Sequence, residues 1–361
     1  MRRPQRRSAQ TGAFRVAVVA FSAFLLFGVS GSAKAQELSY DPDEQLIREF
    51  QEAAQRSSEE LRRWVDSVDG SNAEPRFRLG HSGPVLALAV SPDGRFALSG
   101  SLDQSARLWE IETGREIAAF RAHSGAVTSV SFSPDGKRVL TGSSDGTAVL
   151  WSLADQSVQT RFASHSASVL DVAFSPDGSR VLTASADGTA KLWTSRSDRE
   201  LLTLDAHTDE VTSVAFSPDG GYALTGGDDE RVVLWELSGG RQISSMDFGS
   251  RWGPISLAFS PDGSTAILAG QFSLEMRALP GGALLEGLGD RQHGERVVTG
   301  HPGVIYSMAL SRDATYAITG SGHGAPDPPT SPRELAMVWD LEGGERKHVL
   351  LGHALDVNAV A

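Results

Sequence analysis

The chain has 361 residues, is 40% hydrophobic and 22% charged, and carries 38 Gly, 7 Trp and no Cys; that much apolar and aromatic mass can bury a core, which excludes wholesale disorder. Without sulfur nucleophiles, thiolate catalysis, disulfide frameworks, cysteine-based zinc sites and lipid attachment to cysteine are excluded together. The formal net charge of −12 sets up a field that repels nucleic acid and anionic lipid.

The first predicted element is an export signal over residues 1–35. It carries Arg2, Arg3, Arg6, Arg7, Arg15 and Lys34 with no acid, an apolar run over residues 16–29, and Ala33-Lys34-Ala35 as a small-x-small cleavage site before Gln36. The run falls short of the roughly 20 residues a helix needs to cross a bilayer, so cleavage is expected rather than a retained anchor, with no stable membrane span afterwards. Arg6-Arg7 stands too far from the apolar run for a twin-arginine signal, so a general secretory route is expected. The expected location is bacterial, periplasmic or secreted.

Residues 36–75 predict an amphipathic helix and a linker. Asp41, Pro42 and Glu44 read as N-cap, first helical position and capping acid. Leu46, Ile47, Phe50, Ala54, Leu61, Trp64 and Val65 then follow a period near 3.6. Glu52 to Arg56 and Glu59 to Arg63 form i,i+4 pairs, and Gly70 is a stop. Docking on the neighbouring domain is favoured over a free partner-binding stalk.

From residue 76 to residue 361 the sequence repeats with a period of 42, marked by His81, His123, His165 and His207. Each His is followed at fixed offsets by a Ser or Thr, an Asp and a Trp. The sets are Ser99, Asp103 and Trp109; Thr141, Asp145 and Trp151; Thr183, Asp187 and Trp193; and Thr225, Asp229 and Trp235. Between these markers the residues alternate with period two, and an SPDG turn recurs with Gly94, Gly136, Gly178, Gly220 and Gly263 as its last residue. Proline presets φ there and glycine takes the left-handed position, so each unit predicts four short antiparallel strands joined by tight turns.

These residues resemble the WD-repeat (WD40) family of β-propellers. The resemblance covers the chain from about residue 75 onward and is most specific from His81 to Trp235; the Trp-Asp pair itself stands only at Trp339-Asp340. It implies an all-β propeller of four-stranded antiparallel blades, with seven blades of which the last is incomplete: residues 76–80 resemble an outermost strand that closes the ring, and the unit begun at His353 stops short of its Trp. It also implies that each His, Ser/Thr, Asp and Trp form a structural hydrogen-bonded tetrad within the blade. Ser, His and Asp together could be read as nucleophile, base and orienter. Four equal copies point instead to a staple that every blade needs, since a buried imidazole and carboxylate are tolerable when hydrogen-bonded. No catalytic residue, metal or cofactor is expected.

The pattern breaks in two places. Unit five keeps its turn but places Ser250, Leu268 and Phe272 where His, Ser/Thr and Asp belong, and carries extra residues around 280–296. Unit six recovers His301, Thr319 and Trp339 but puts His323 at the Asp place, within an irregular Gly- and Pro-rich stretch over 321–335 where function is often carried.

By similarity to the family, the partner-binding top is lined by the residues flanking each first strand's opening Val or Ile and by the one before the turn Asp. These are Pro84, Leu86 and Leu102; Ala126, Thr128 and Ser144; Ser168, Leu170 and Ala186; and Glu210, Thr212 and Asp228. Blades five and six add Pro254, Ser256, Val304 and Tyr306, with Trp252 nearby. An apolar arc beside an acidic edge suits a protein or peptide partner with a basic flank. The expected function is therefore a non-enzymatic interaction scaffold. A targeting or regulatory module of a longer chain, and an enzyme using the central channel, are the alternatives.

Overall fold

The computed structural model describes residues 80–248, 254–270, 274–281, 283–288, 305–311, 314–321, 336–341, 345–350 and 359–361. The expected export signal, the helix and linker over 36–75, and most of the irregular stretch near 321–335 lie outside the described residues.

Six four-stranded antiparallel sheets are formed by the described residues. Their first strands are β1 (Val85–Val90), β5 (Val127–Phe132), β9 (Val169–Phe174), β13 (Val211–Phe216), β17 (Pro254–Phe259) and β21 (Ile305–Leu310). The second strands are β2 (Phe96–Ser101), β6 (Arg138–Ser143), β10 (Arg180–Ser185), β14 (Tyr222–Gly227), β18 (Thr265–Gly270) and β22 (Tyr316–Ser321). The third strands are β3 (Ala106–Glu110), β7 (Ala148–Ser152), β11 (Ala190–Thr194), β15 (Arg231–Glu236), β19 (Leu274–Ala278) and β23 (Ala336–Asp340). The outer strands are β4 (Glu116–Phe120), β8 (Val158–Phe162), β12 (Glu200–Leu204), β16 (Arg241–Asp247), β20 (Ala283–Leu288) and β24 (Glu345–Leu350). Successive first strands pack on one another and each second strand packs on the next sheet's first strand, which makes the sheets the blades of a propeller.

The described residues thus form six blades and not the seven expected. No strand is formed by residues 359–361, although Val360 is buried with Ala336 against blade six and its amide donates to Ser307 Oγ at 3.2 Å. The physical basis of the blades is burial on both faces. The second strands read as nearly unbroken buried runs because each is sandwiched between blades, and the core repeats as one apolar cluster per junction. At the junction of blades one and two Gly100 lets the valines of β5 approach: a Cβ there would stand 2.7 Å from Val127.

The SPDG turns close as their chemistry requires. In blade two, Ser133 Oγ donates to Asp135, the Gly136 amide donates to the Ser133 carbonyl at 2.9 Å, and Gly136 takes φ +66°. Blade six reads Ser311-Arg312-Asp313-Ala314 in place of SPDG, and Ala314 adopts φ 51° to make the same bond to the Ser311 carbonyl.

Each first strand carries a β-bulge after its opening residue. The register slips between Val85 and Ala87, Val127 and Ser129, Val211 and Ser213, and Ile305 and Ser307. The same slip falls opposite Ala184/Ser185 in blade three and between Pro254 and Ser256 in blade five. A bulge turns its extra residue out of the inside-outside alternation, and this positions the face described next.

Candidate functional site

The four polar sets are brought together blade by blade. In blade three, Trp193 Nε1 donates to Thr183 Oγ1 at 3.0 Å, Thr183 Oγ1 lies 2.7 Å from His165 Nε2, and His165 Nδ1 lies 2.8 Å from Asp187. In blade one, Trp109 donates to Ser99 at 2.8 Å, with His81 2.7 Å from Ser99 and 3.0 Å from Asp103. In blade two, Trp151 donates to Thr141 at 3.0 Å, with His123 2.7 Å from Thr141 and 3.1 Å from Asp145. In blade four all three separations, joining Trp235, Thr225, His207 and Asp229, are 2.8 Å. The carboxylate can only accept, so Nδ1 carries the imidazole proton and Nε2 accepts from the hydroxyl, which in turn accepts from the indole. Every group in the chain is satisfied with the imidazole neutral.

Burial accordingly pushes His81, His123 and His165 below the usual imidazole value, against the opposing pull of Asp103, Asp145 and Asp187. For the aspartates, burial pushes upward but is outweighed by hydrogen bonds and the imidazole. Asp103 and Asp187 are held at about 2, and Asp145 is also lowered. The network is wider than four residues. Ser105, Thr147 and Thr189 hydroxyls donate to the aspartate two residues before them, at 2.6, 2.7 and 2.6 Å, and the amides of Ser82, Ser124 and Ser166 donate to the same carboxylates. The signal for this was in the sequence: a Ser or Thr stands two places after Asp103, Asp145 and Asp187, whereas blade four has Arg231.

Blade five does not repeat the staple: Leu268, fully buried, stands at the hydroxyl place and packs with Leu257, Phe259 and Ala266, while Arg277 stands at the Trp place and pairs with Glu275; Ser250 and Phe272, at the other two places, lie outside the described residues. In blade six Trp339 donates to Thr319 at 2.8 Å; His301 and His323 lie outside the described residues.

The expected partner-binding residues gather in triplets. One backbone bond recurs in four blades: Leu102 to Pro84, Ser144 to Ala126, Ala186 to Ser168, and Asp228 to Glu210, at 2.9 to 3.0 Å. It sets the residue before each turn aspartate beside the residue that precedes each first strand, and the bulge presents Leu86, Thr128, Leu170 and Thr212 next to them. Leu102 is 54% exposed and Tyr306, the bulge residue of blade six, is 37% exposed. Glu210 is exposed, and Asp228 is pushed up by burial and by the charges of Glu210, Asp209 and Asp229, the mark of a locally negative edge. Trp252 and Val304 lie outside the described residues. In blade five the bulge falls one residue earlier than expected: Pro254 is the strand's opening residue and Ile255 its bulge, so Ser256 belongs to the inner position that Ala87, Ser129, Asp171, Ser213 and Ser307 occupy elsewhere.

Sequence reading passed over Asp171. It accepts from Ser129 Oγ at 2.8 Å, from the Val172 amide at 2.8 Å, from the Val214 amide at 3.0 Å and from Ser213 Oγ at 3.5 Å, and burial pushes its carboxyl upward. The signal was an acid in an otherwise apolar strand, where sister units carry Ala or Ser. Among the described residues no group of three or more His, Asp or Glu side chains could hold a metal ion, and no helix is long and apolar enough to cross a membrane.

Fold, repeated tetrads and bulged top define a WD40 β-propeller. The family model described as the IFT122 first beta-propeller matches residues 63–274, and the chain belongs to that WD-repeat propeller family. Over 54 residues it is 44% identical to the SAGA complex/transcription factor TFIID complex subunit Taf5 of Schizosaccharomyces pombe, a match covering 15% of this chain and 8% of that protein. It is 39% identical over 54 residues to transcription initiation factor TFIID subunit 5 of Caenorhabditis elegans, covering 15% of this chain and 8% of that one. It is 51% identical over 39 residues to eukaryotic translation initiation factor 3 subunit I of Xenopus tropicalis, covering 11% of this chain and 12% of that one. The chain therefore spans about a tenth of the length of the curated relatives it matches. By their names these relatives are subunits of eukaryotic transcription and translation-initiation assemblies, which overturns the bacterial periplasmic or secreted location expected from residues 1–35. The expectation rested on a local hydropathy pattern that lies outside the matched segment.

Proposed function

We propose that the chain is a non-catalytic WD-repeat scaffold that holds a protein or peptide partner on the bulged face of the propeller. The observation that carries this reading is the four-fold recurrence of one saturated Trp–Thr/Ser–His–Asp chain. A nucleophile needs a base with an unspent lone pair facing substrate, and both ring nitrogens of His81, His123, His165 and His207 are spent inside their own blades. The hydroxyls that would attack are buried at Ser99, Thr141, Thr183 and Thr225. What the face does present is an exposed apolar residue, Leu102, beside Pro84 and Leu86, a middle of small residues over blades two and three, and a carboxylate edge at Glu210 and Asp228. That order favours a partner with an apolar anchor and a Lys- or Arg-bearing flank. The matched relatives, named as subunits of larger assemblies, support a protein partner.

Selection of a random peptide library on immobilised protein tests it. Peptides with an apolar residue near Lys or Arg should be enriched, and enrichment should fall at least tenfold with Glu210→Lys plus Asp228→Lys, and with Leu102→Ser. Enrichment that ignores all three substitutions would overturn the reading.

A further inference from the structure

The turn that follows each tetrad aspartate takes left-handed backbone at its next residue. In blades two and three glycine supplies it, Gly146 at φ 81° and Gly188 at φ 82°. Blades one and four put Gln104 at φ 69° and Glu230 at φ 65° in the same position, and both residues are exposed. The turn of blade one is otherwise unchanged: the Gln104 amide donates to the Ser101 carbonyl at 3.2 Å, as the Gly146 and Gly188 amides donate to the Ser143 and Ser185 carbonyls at 3.1 and 3.2 Å. An L side chain is strained in this region of backbone where glycine is not, so Gln104 and Glu230 keep their side chains against the preference of the turn.

Strain alone assigns no role. Gln156, at φ 58° in the turn between β7 and β8, sits where blades one and four have Gly114 and Gly240, at the end of the blade away from the tetrad turn. Position separates the other two from it. Gln104 stands two residues after Leu102, which is 54% exposed, and Glu230 two residues after Asp228. They mark the apolar and the carboxylate ends of the bulged face, and the blades between them carry glycine. A Cβ at Gly146 would lie 3.2 Å from the Ala167 carbonyl, and one at Gly188 3.5 Å from the Asp209 carbonyl. This position therefore faces the loop that leads into the next blade's first strand, and Gln104 emerges between the triplets of blades one and two.

We propose that Gln104 and Glu230 select the partner at the two ends of this face: Gln104 hydrogen-bonds the main chain of an extended peptide whose apolar residue rests on Leu102, and Glu230 pairs with the Lys or Arg of its flank. The proposal rests on the reading of the bulged face as a docking platform. A side-chain amide carries both donors and an acceptor, which match the two groups of a peptide bond, and a carboxylate makes the stronger, charge-assisted bond to a cation. Strained backbone that is kept for a contact lowers stability in exchange for binding. Glycine at either position removes the strain and the side chain together and leaves the turn's own amide in place.

The random peptide library, panned in parallel on the unaltered full chain and on Gln104→Gly, Glu230→Gly and Gln156→Gly, tests this together with urea unfolding of each. All three variants should unfold at higher urea, because each is relieved of the same strain. Gln104→Gly and Glu230→Gly should each lower the enrichment of peptides selected on the unaltered chain at least fivefold, whereas Gln156→Gly should leave it within twofold. Glu230→Gln, which keeps the strain and loses the charge, should lose enrichment as Glu230→Gly does without gaining urea resistance. Full enrichment on both face variants would overturn the proposal, as would an equal loss on Gln156→Gly, or unfolding of the face variants at lower urea, which would make their side chains part of the fold. Peptides that respond to Leu102→Ser and to Glu210→Lys plus Asp228→Lys but ignore the glycine variants would overturn this proposal and leave the docking reading standing; no enrichment on the unaltered chain would overturn both.

Discussion

Thr183 makes two contacts with one oxygen, and their value lies in what its loss would strand. Thr183→Val keeps the shape but leaves the Trp193 N–H and the His165 Nε2 lone pair without partners in a buried site. Unsatisfied buried groups cost about 1–3 kcal/mol each, so the variant should lose about 3 kcal/mol in urea unfolding. Thr183→Ser keeps the oxygen, as Ser99 does in blade one, and should lose about 1 kcal/mol for its missing methyl. Equal losses for the two variants would mean that the hydroxyl is not what holds the blade. In blade five the hydroxyl place is filled by Leu268, which packs among apolar side chains and brings no oxygen to the site.

At the scale of the element, the first turn of each blade offers a comparison within one molecule. Gly136 takes φ +66° with only Pro92 near its missing Cβ, at 3.7 Å, so an added side chain meets strain from the backbone and not from neighbours. Left-handed backbone costs an L-residue about 1–2 kcal/mol, offset in part by the lower chain entropy of alanine when unfolded. Gly136→Ala should therefore destabilise by about 1 kcal/mol. Ala314, already at φ 51° in blade six, should give the opposite sign, and Ala314→Gly should raise the urea midpoint. A loss of stability in that variant would refute the backbone explanation. Element boundaries follow the same local chemistry: the outer strand of blade two begins at Val158, just after Asp155 accepts from the Ser157 amide and the Ser152 amide donates to the Ser157 carbonyl.

At the scale of the whole molecule, the repeated tetrads give stability a pH dependence with a definite sign. His81, His123 and His165 have folded values below the unfolded imidazole, so as pH falls through about 6.5 the unfolded chain takes up protons that the folded one refuses, and stability drops. Asp103 and Asp187, at about 2, add stability that is present above the ordinary carboxylate range and lost as pH falls through it toward 2. Asp171 and Asp228, both raised, act in the opposite direction between the ordinary carboxylate value and their folded values, but they are two groups against a ring of staples. Thermal unfolding should thus show a lower midpoint at pH 5 than at pH 7.5, and replacing His165 with Gln should reduce that difference. A midpoint that rises on acidification would contradict the assignment of neutral, donor-satisfied imidazoles.

The repeat itself was legible because a blade is a local unit. Period-two alternation, a turn with its glycine, and four polar residues at fixed offsets all lie within one span of 42 residues from His81 to His123, and local chemistry decides them. The triplets of the face were legible in kind for the same reason, although blade five slipped by one residue because Pro254 stands where a β-branched residue normally marks the strand's start. What the sequence could not show is anything that depends on which blade meets which. The six sheets among the described residues, the bond from Ser129 through Asp171 to Val214, and the reach of Arg138 and Arg180 into the next turn join residues about 40 positions apart. Such contacts exist only after each sheet has found its neighbour, so no pattern within a single unit specifies them; the chain by itself settles the blade, and packing of blade on blade settles the ring.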